Sequence, residues 1–165
     1  MTNLFGSVKD IVLVALGGMI GTLMRHAINS VSTLSVPVWL VERSGVYGFP
    51  LGTLCVNMIG TFLIALIATL SGLVQYPNST DSTRVASLTS ILSPAGRLLL
   101  ITGFCGGLTT FSSLMLDCVQ LLESRSYTAL CVYCIGTIAG AIVCFSAGWW
   151  CGRKLLILFS LPSPQ

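Results

Sequence analysis

The stretch Gly103-Phe104-Cys105-Gly106-Gly107-Leu108-Thr109-Thr110-Phe111-Ser112-Ser113 sits in the middle of an uncharged run of 19 residues between Arg97 and Asp117. Nineteen such residues are about what a helix needs to cross a bilayer. Yet paired glycines followed by paired β-branched threonines make a poor continuous helix. The run therefore reads as a membrane helix broken at mid-membrane. A break at that depth frees backbone carbonyl and N–H groups, which is tolerated only where protein buries them or they line a cavity or ion site. Carbonyls suit a hard cation such as Na⁺; N–H groups and hydroxyls suit an anion.

The flanking sequence has the same character. Uncharged runs of 37 residues between Arg43 and Asp81 and of 27 between Arg125 and Arg153 are each long enough to span. Between Asp10 and Arg25 there are only 14, so the first helix is expected to continue through Arg25. Four transmembrane helices follow, near 10–33, 51–75, 97–122 and 126–152, in a single all-α integral membrane domain over 1–165. Pro37, Pro50, Pro77, Asn78 and Pro94 fall in the expected loops. The apolar tail 155–160 is too short to span by itself and reads as interfacial.

Composition agrees. The 165 residues are 54% hydrophobic and 8% charged, with a mean hydropathy of +0.92, against about 25% charged in a soluble domain. So few charges exclude a soluble enzyme and a disordered chain, and a net charge of +3 supplies no basic patch for nucleic acid. Lys9 before an apolar run imitates a signal peptide, but no small-residue cleavage site follows, so the first helix is expected to be retained. Asn78-Ser79-Thr80 fits a glycosylation acceptor and carries little weight. The seven cysteines read as small hydrophobes of the spans; Cys131 and Cys134 form a C-x-x-C with no further ligand pair.

Lys9, Arg84, Arg97, Arg153 and Lys154 fall on one side of a four-span layout, and Arg25, Arg43 and Arg125 on the other. The bias favours cytoplasmic termini. It is small, and a near-balanced chain can insert in both orientations.

Within the spans, polar residues recur at helical spacing. Thr53 and Asn57 share a face, and a mid-membrane amide must find a partner. Tyr133, Thr137 and Ala141 form one stripe. Arg25 is a charge at membrane depth that needs headgroups, an aqueous vestibule or a partner. Gly17, Gly18 and Gly21 permit close helix approach. Asp117 is the one carboxylate clearly inside a span, about two turns from its end, and so a shallow candidate for the buried titratable group that proton-coupled transport needs. No catalytic triad, phosphate loop or metal-ligand cluster appears, so no enzymatic activity is expected. A small proton-coupled multidrug-type transporter would want a glutamate in the first helix, which is absent. A non-transporting scaffold would leave Asn57 and the interrupted third span without a use.

Together GGMIGTLMR (17–25), GTLCVNMIG (52–60) and GFCGGLTTFSS (103–113) resemble the Fluc/CrcB family of fluoride channels, in the family's order and over nearly the whole chain. The resemblance implies a bacterial plasma-membrane protein of four helices in the lipid bilayer. It assembles as an antiparallel dual-topology dimer with two pores, through which F⁻ leaves the cell passively. The dimer would be a homodimer or a heterodimer with a sister subunit. The resemblance also implies a central structural Na⁺, not transported, on the backbone carbonyls of Gly106 and Thr109. Asn57, Thr53, Phe111, Tyr133, Thr137 and Arg25 fall on family pore or vestibule positions. Two positions depart from the pattern: Leu114 stands where a second phenylalanine is common, and Ala141 where a hydroxyl is common.

The chemistry is coherent. Fluoride is small and strongly hydrated, so a narrow pore must replace water with dense donors. Asn57 and the hydroxyls of Thr53, Ser112, Ser113 and Thr137 can supply them, and aromatic ring edges are partially positive.

Overall fold

The computed structural model describes residues 7–35, 49–73 and 93–160, with side chains beyond 31 in the first segment and beyond 158 in the last left aside. Helix α1 is Val8–Ser35 and α2 is Leu51–Leu70. The third span begins with a short turn α3, Pro94–Arg97. It continues as the π-helical α4, Leu98–Cys105, and the single turn α5, Gly106–Leu108. Helices α6, Phe111–Glu123, and α7, Tyr127–Ser160, complete the chain. No strand occurs among the described residues. Four stretches are long and apolar enough to cross a membrane: Val8–Val31, Leu51–Leu70, Pro94–Glu123 and Tyr127–Leu158.

Boundaries differ from the sequence reading for local reasons. Helix α2 stops at Leu70, five residues early. Gly72 takes φ 69°, Leu73 N–H reaches Ala68 O at 3.0 Å, and Gly72 N–H reaches Thr69 O at 3.1 Å. That pair of bonds is a Schellman stop. The third span starts three residues early because Ser93 Oγ accepts the Gly96 N–H at 3.2 Å and Pro94 sits in the first turn. Helix α7 absorbs the tail 155–160 into one 34-residue helix, about 51 Å long. That exceeds a hydrocarbon core of about 30 Å. Near its end Arg153 lies 5.0 Å over the Trp149 ring and Lys154 5.3 Å over the Trp150 ring, a cation–π belt suited to a headgroup layer. Residues 74 and 75, the loop prolines Pro37 and Pro77, Arg43, Arg84 and Asn78-Ser79-Thr80 lie outside the described residues.

Glycines set the packing. A Cβ on Gly17 or Gly21 would run into the backbone of Leu99 or Phe104, and one on Gly107 into that of Gly18. Helix α1 thus lies backbone to backbone on α4 and α5. Helix α7 approaches α2 in the same way at Gly148, where a Cβ would meet the Phe62 carbonyl, and at Gly152, where it would meet Thr69. Without a hydrophobic drive between helices in lipid, such close approach supplies dispersion contact. Val56, Ala65, Cys105 and Leu108 are buried, while Ile11, Leu16, Leu23, Val132, Ile135 and Ile142 stay exposed, as lipid-facing side chains do.

Candidate functional site

The site begins at two residues in extended backbone. Thr109 has φ −81°, ψ 154° and Thr110 φ −153°, ψ 119°, between the last turn of α5 and the start of α6. An extended residue cannot join the helical ladder, so its backbone groups need other partners. Asn57 supplies them for Thr110. Its Oδ1 accepts the Thr110 N–H at 2.8 Å and its Nδ2 donates to the Thr110 carbonyl at 3.2 Å. One planar amide thereby imitates a strand neighbour. Thr110 also caps α6: its Oγ1 accepts the Ser113 N–H at 3.1 Å and donates to Ser113 Oγ at 3.1 Å, with Ser112 Oγ also at 3.1 Å.

These bonds turn amides away from two carbonyls. In a continuous helix the Thr110 N–H would aim at the Gly106 carbonyl and the Ser113 N–H at the Thr109 carbonyl. Here both go to side-chain oxygens. Thr109 keeps a helical link on its amide side, where N–H and Oγ1 both donate to the Cys105 carbonyl at 3.0 and 2.9 Å.

A cavity of about 300 Å³ opens beside this junction, lined by Asn57, Gly60, Thr61, Thr109, Phe111 and Thr137 among others, with Leu114 also in its wall. Phe111 is 74% exposed and Ser112 is exposed beside it. Thr137 is buried, and its Oγ1 donates to the Tyr133 carbonyl at 2.7 Å. That proton is engaged within its own helix, so Thr137 turns an oxygen lone pair, rather than a donor, outward.

A second polar cluster lies one helical turn away. Tyr133 is fully buried, and its hydroxyl donates to Asp117 Oδ2 at 2.8 Å. The Phe49 ring meets it edge-on at 5.7 Å, and Thr53 adjoins the tyrosine hydroxyl. Three helices therefore carry polar groups one turn apart: Thr53, Asn57 and Thr61 on α2, Ser113 and Asp117 on α6, Tyr133 and Thr137 on α7. Each step along such a line is about 6 Å.

The structure thus gathers Asn57, Thr109, Phe111 and Thr137 at the cavity, sets Ser112 and Ser113 on the first turn of α6, and groups Thr53 with Tyr133. Arg25 stands apart on α1 and pairs with no other described residue. Gly106 is exposed, and a Cβ there would find only the Ile101 carbonyl, at 3.9 Å. Two participants escaped the sequence reading. Thr110 is the junction's hydrogen-bonding centre, and its Thr-x-x-Ser spacing to Ser113 was the available cap signal. Asp117, read as a shallow carboxylate, is the acceptor for Tyr133; only the α6–α7 packing reveals that.

Residues 12–149 match the family described as CrcB-like protein, Camphor Resistance (CrcB). The chain belongs to the CrcB family. Curated relatives of this CrcB chain include the fluoride-specific ion channel FluC of Chlorobaculum tepidum, 36% identical over 140 residues, which cover 85% of this chain and 91% of the relative. The FluC protein of Chlorobium phaeobacteroides strain BS1 is 39% identical over 138 residues, 84% and 88% of the two chains. That of Gloeobacter violaceus is 33% identical over 148 residues, 90% and 99%. With four helices long and apolar enough to span, this CrcB-family chain is a multi-pass cell-membrane protein.

Proposed function

We infer that this chain forms a passive, fluoride-selective channel that lets F⁻ leave the cytoplasm and so lowers its toxicity. The observation that carries the reading is the interrupted third span braced by Asn57, with a polar line continuing from it along α2, α6 and α7. One Asn57 N–H is spent on Thr110. The other, with the hydroxyl proton of Ser113, remains to replace water around a small anion, while Ser112 donates to Thr110 Oγ1 at 3.1 Å. The exposed Phe111 ring beside the cavity offers its positive edge. The Tyr133–Asp117 pair spends the carboxylate's charge on a hydroxyl, which limits its repulsion of an anion in low dielectric. Arg25, a cation on α1, suits a vestibule that concentrates anions. Movement of F⁻ down its own gradient needs no energy coupling, and the activity is transport, not catalysis.

The same junction supports an antiparallel dimer with its third spans crossing at the interruption, at mid-membrane. Ser112, Gly106 and Phe111 are exposed there, and hydroxyls left against lipid at that depth are costly. A second, inverted copy or a sister subunit would cover them and complete each pore. The carbonyls of Gly106 and Thr109, from which the helical amides have been turned away, have the hard oxygen character that Na⁺ takes. In the proposed dimer they would hold it, and the ion would supply a fixed positive charge that ties the two interruptions together.

The test is F⁻ efflux from liposomes containing the purified protein. Fast F⁻ release with no Cl⁻ release supports the reading; no release from well-folded protein overturns it.

A further inference from the structure

Cys118 on α6 and Cys134 on α7 face each other across the helix seam with their sulfurs 3.5 Å apart. A disulfide needs about 2.05 Å, so the two sulfurs must approach by roughly 1.5 Å, drawing α6 and α7 together at this point. Each cysteine immediately follows a member of the second polar cluster, Asp117 or Tyr133, whose own link spans the same seam at 2.8 Å. The pairing is selective. The C-x-x-C partner of Cys134 is Cys131, which is exposed on α7, whereas Cys134 is half-buried toward Cys118.

We propose that Cys118 and Cys134 are a redox-sensitive dithiol whose closure by peroxide stiffens the α6–α7 seam and lowers ion flux past Tyr133. The oxidant is hydrogen peroxide, a small neutral molecule that enters bilayers. One thiol attacks a peroxide oxygen, the O–O bond breaks and water leaves, giving a sulfenic acid. The second thiol attacks that sulfur, a second water leaves and the S–S bond forms. The balance is two thiols and one peroxide to one disulfide and two waters, each sulfur giving up one electron. In a reducing cell such a bond is transient, as regulatory disulfides are. Its effect follows from position. Drawing Cys134 toward α6 moves the adjoining Tyr133 backbone, on whose carbonyl Thr137 is hydrogen-bonded.

The chemistry stands on the geometry alone; the flux consequence rests on the channel reading. Full-length protein in liposomes is treated with hydrogen peroxide and then split between two readouts. Mass spectrometry of digested, alkylated protein is expected to find the Cys118 and Cys134 peptides joined, two hydrogens lighter, in wild type and not in Cys118→Ser or Cys134→Ser. F⁻ efflux is expected to fall severalfold, to recover with dithiothreitol, and to stay unchanged by peroxide in Cys118→Ser. Both thiols remaining open to alkylation, or Cys134 joined to Cys131 instead, overturns the pairing. A disulfide that leaves efflux unaltered overturns the regulation. Reduced protein that carries no F⁻ overturns the channel reading and the regulation with it, while the mass readout still decides the pairing.

Discussion

The side-chain amide of Asn57 holds the backbone of Thr110 by both its groups, accepting the N–H at 2.8 Å and donating to the carbonyl at 3.2 Å. These two residues, 53 apart in sequence, fix α2 against the point where the third span leaves helical geometry. Asn57 is therefore a structural brace as well as the proposed pore donor. Asn57→Asp keeps the shape but sets a second oxygen against the Thr110 carbonyl, and its charge repels an anion. Loss of a hydrogen bond with a buried group left unpaired costs about 1–3 kcal/mol. Near-abolished F⁻ flux is expected together with a lower melting temperature in detergent. Wild-type flux in Asn57→Asp would remove the residue from the pore.

Thr110 tests the junction from the other side. Thr110→Val keeps the backbone pairing with Asn57 but removes the Oγ1 that caps α6. The expected cost is about 1 kcal/mol, the worth of an N-cap, with Thr110→Ser near wild type. Thermal unfolding in detergent would show it; equal stability of the valine and serine variants would mean that the cap contributes nothing.

Phe111 and Leu114 both line the cavity. If the Phe111 ring edge faces the ion, Phe111→Ile should reduce F⁻ flux strongly with little loss of stability, since the ring is 74% exposed in the single chain. Leu114→Phe should raise the flux of the chain acting alone by supplying a second ring. Unchanged flux in both variants would disqualify the aromatic assignment.

The glycines separate fold from assembly. Gly21→Ala drives a methyl into the Phe104 carbonyl, where only backbone movement can relieve it, and overpacking of this kind costs about 1–3 kcal/mol. Protein yield and melting temperature should both drop. Gly106→Val meets no such obstacle within the chain. It should leave the subunit folded and separate the proposed dimer, read by light scattering in detergent. A Gly106→Val protein that dimerises normally would contradict a crossing of third spans at this point.

Sodium gives a further handle on the same crossing. If the Gly106 and Thr109 carbonyls bind Na⁺ only in the dimer, the ion stabilises the assembly by mass action. Raising Na⁺ against a constant total of Na⁺ and N-methylglucamine should raise dissociation temperature, and Thr109→Ser, which keeps the carbonyl, should preserve the response. A flat response across concentrations above and below millimolar would leave the interruption as a packing hinge.

Much of the architecture was legible because bilayers impose simple rules. Charge-free runs placed four spans, and the Gly-Gly-x-Thr-Thr pattern marked where the third would leave the helical ladder. Gly17 and Gly21 were readable as close-approach positions, though not as contacts of Leu99 and Phe104. Other features depend on partners distant in sequence. Asn57 announced that it needed a partner without naming Thr110, and Asp117 looked shallow until α7 brought Tyr133 to it. The end of α2 was misread because an apolar run continues past Gly72, and the left-handed turn there overrides hydropathy. Cys118 and Cys134 looked like ordinary apolar filler, because their proximity exists only once α6 and α7 pack.

Passive, selective F⁻ conduction shows itself as current in a planar bilayer or liposome patch with a fluoride gradient in a chloride background. A fluoride-selective channel gives a reversal potential that follows the fluoride gradient by about 59 mV per tenfold change for a single charge. It should be indifferent to Cl⁻ and to a pH gradient. Currents that reverse with chloride or protons, or fluoride movement only when a proton gradient is supplied, would contradict such conduction.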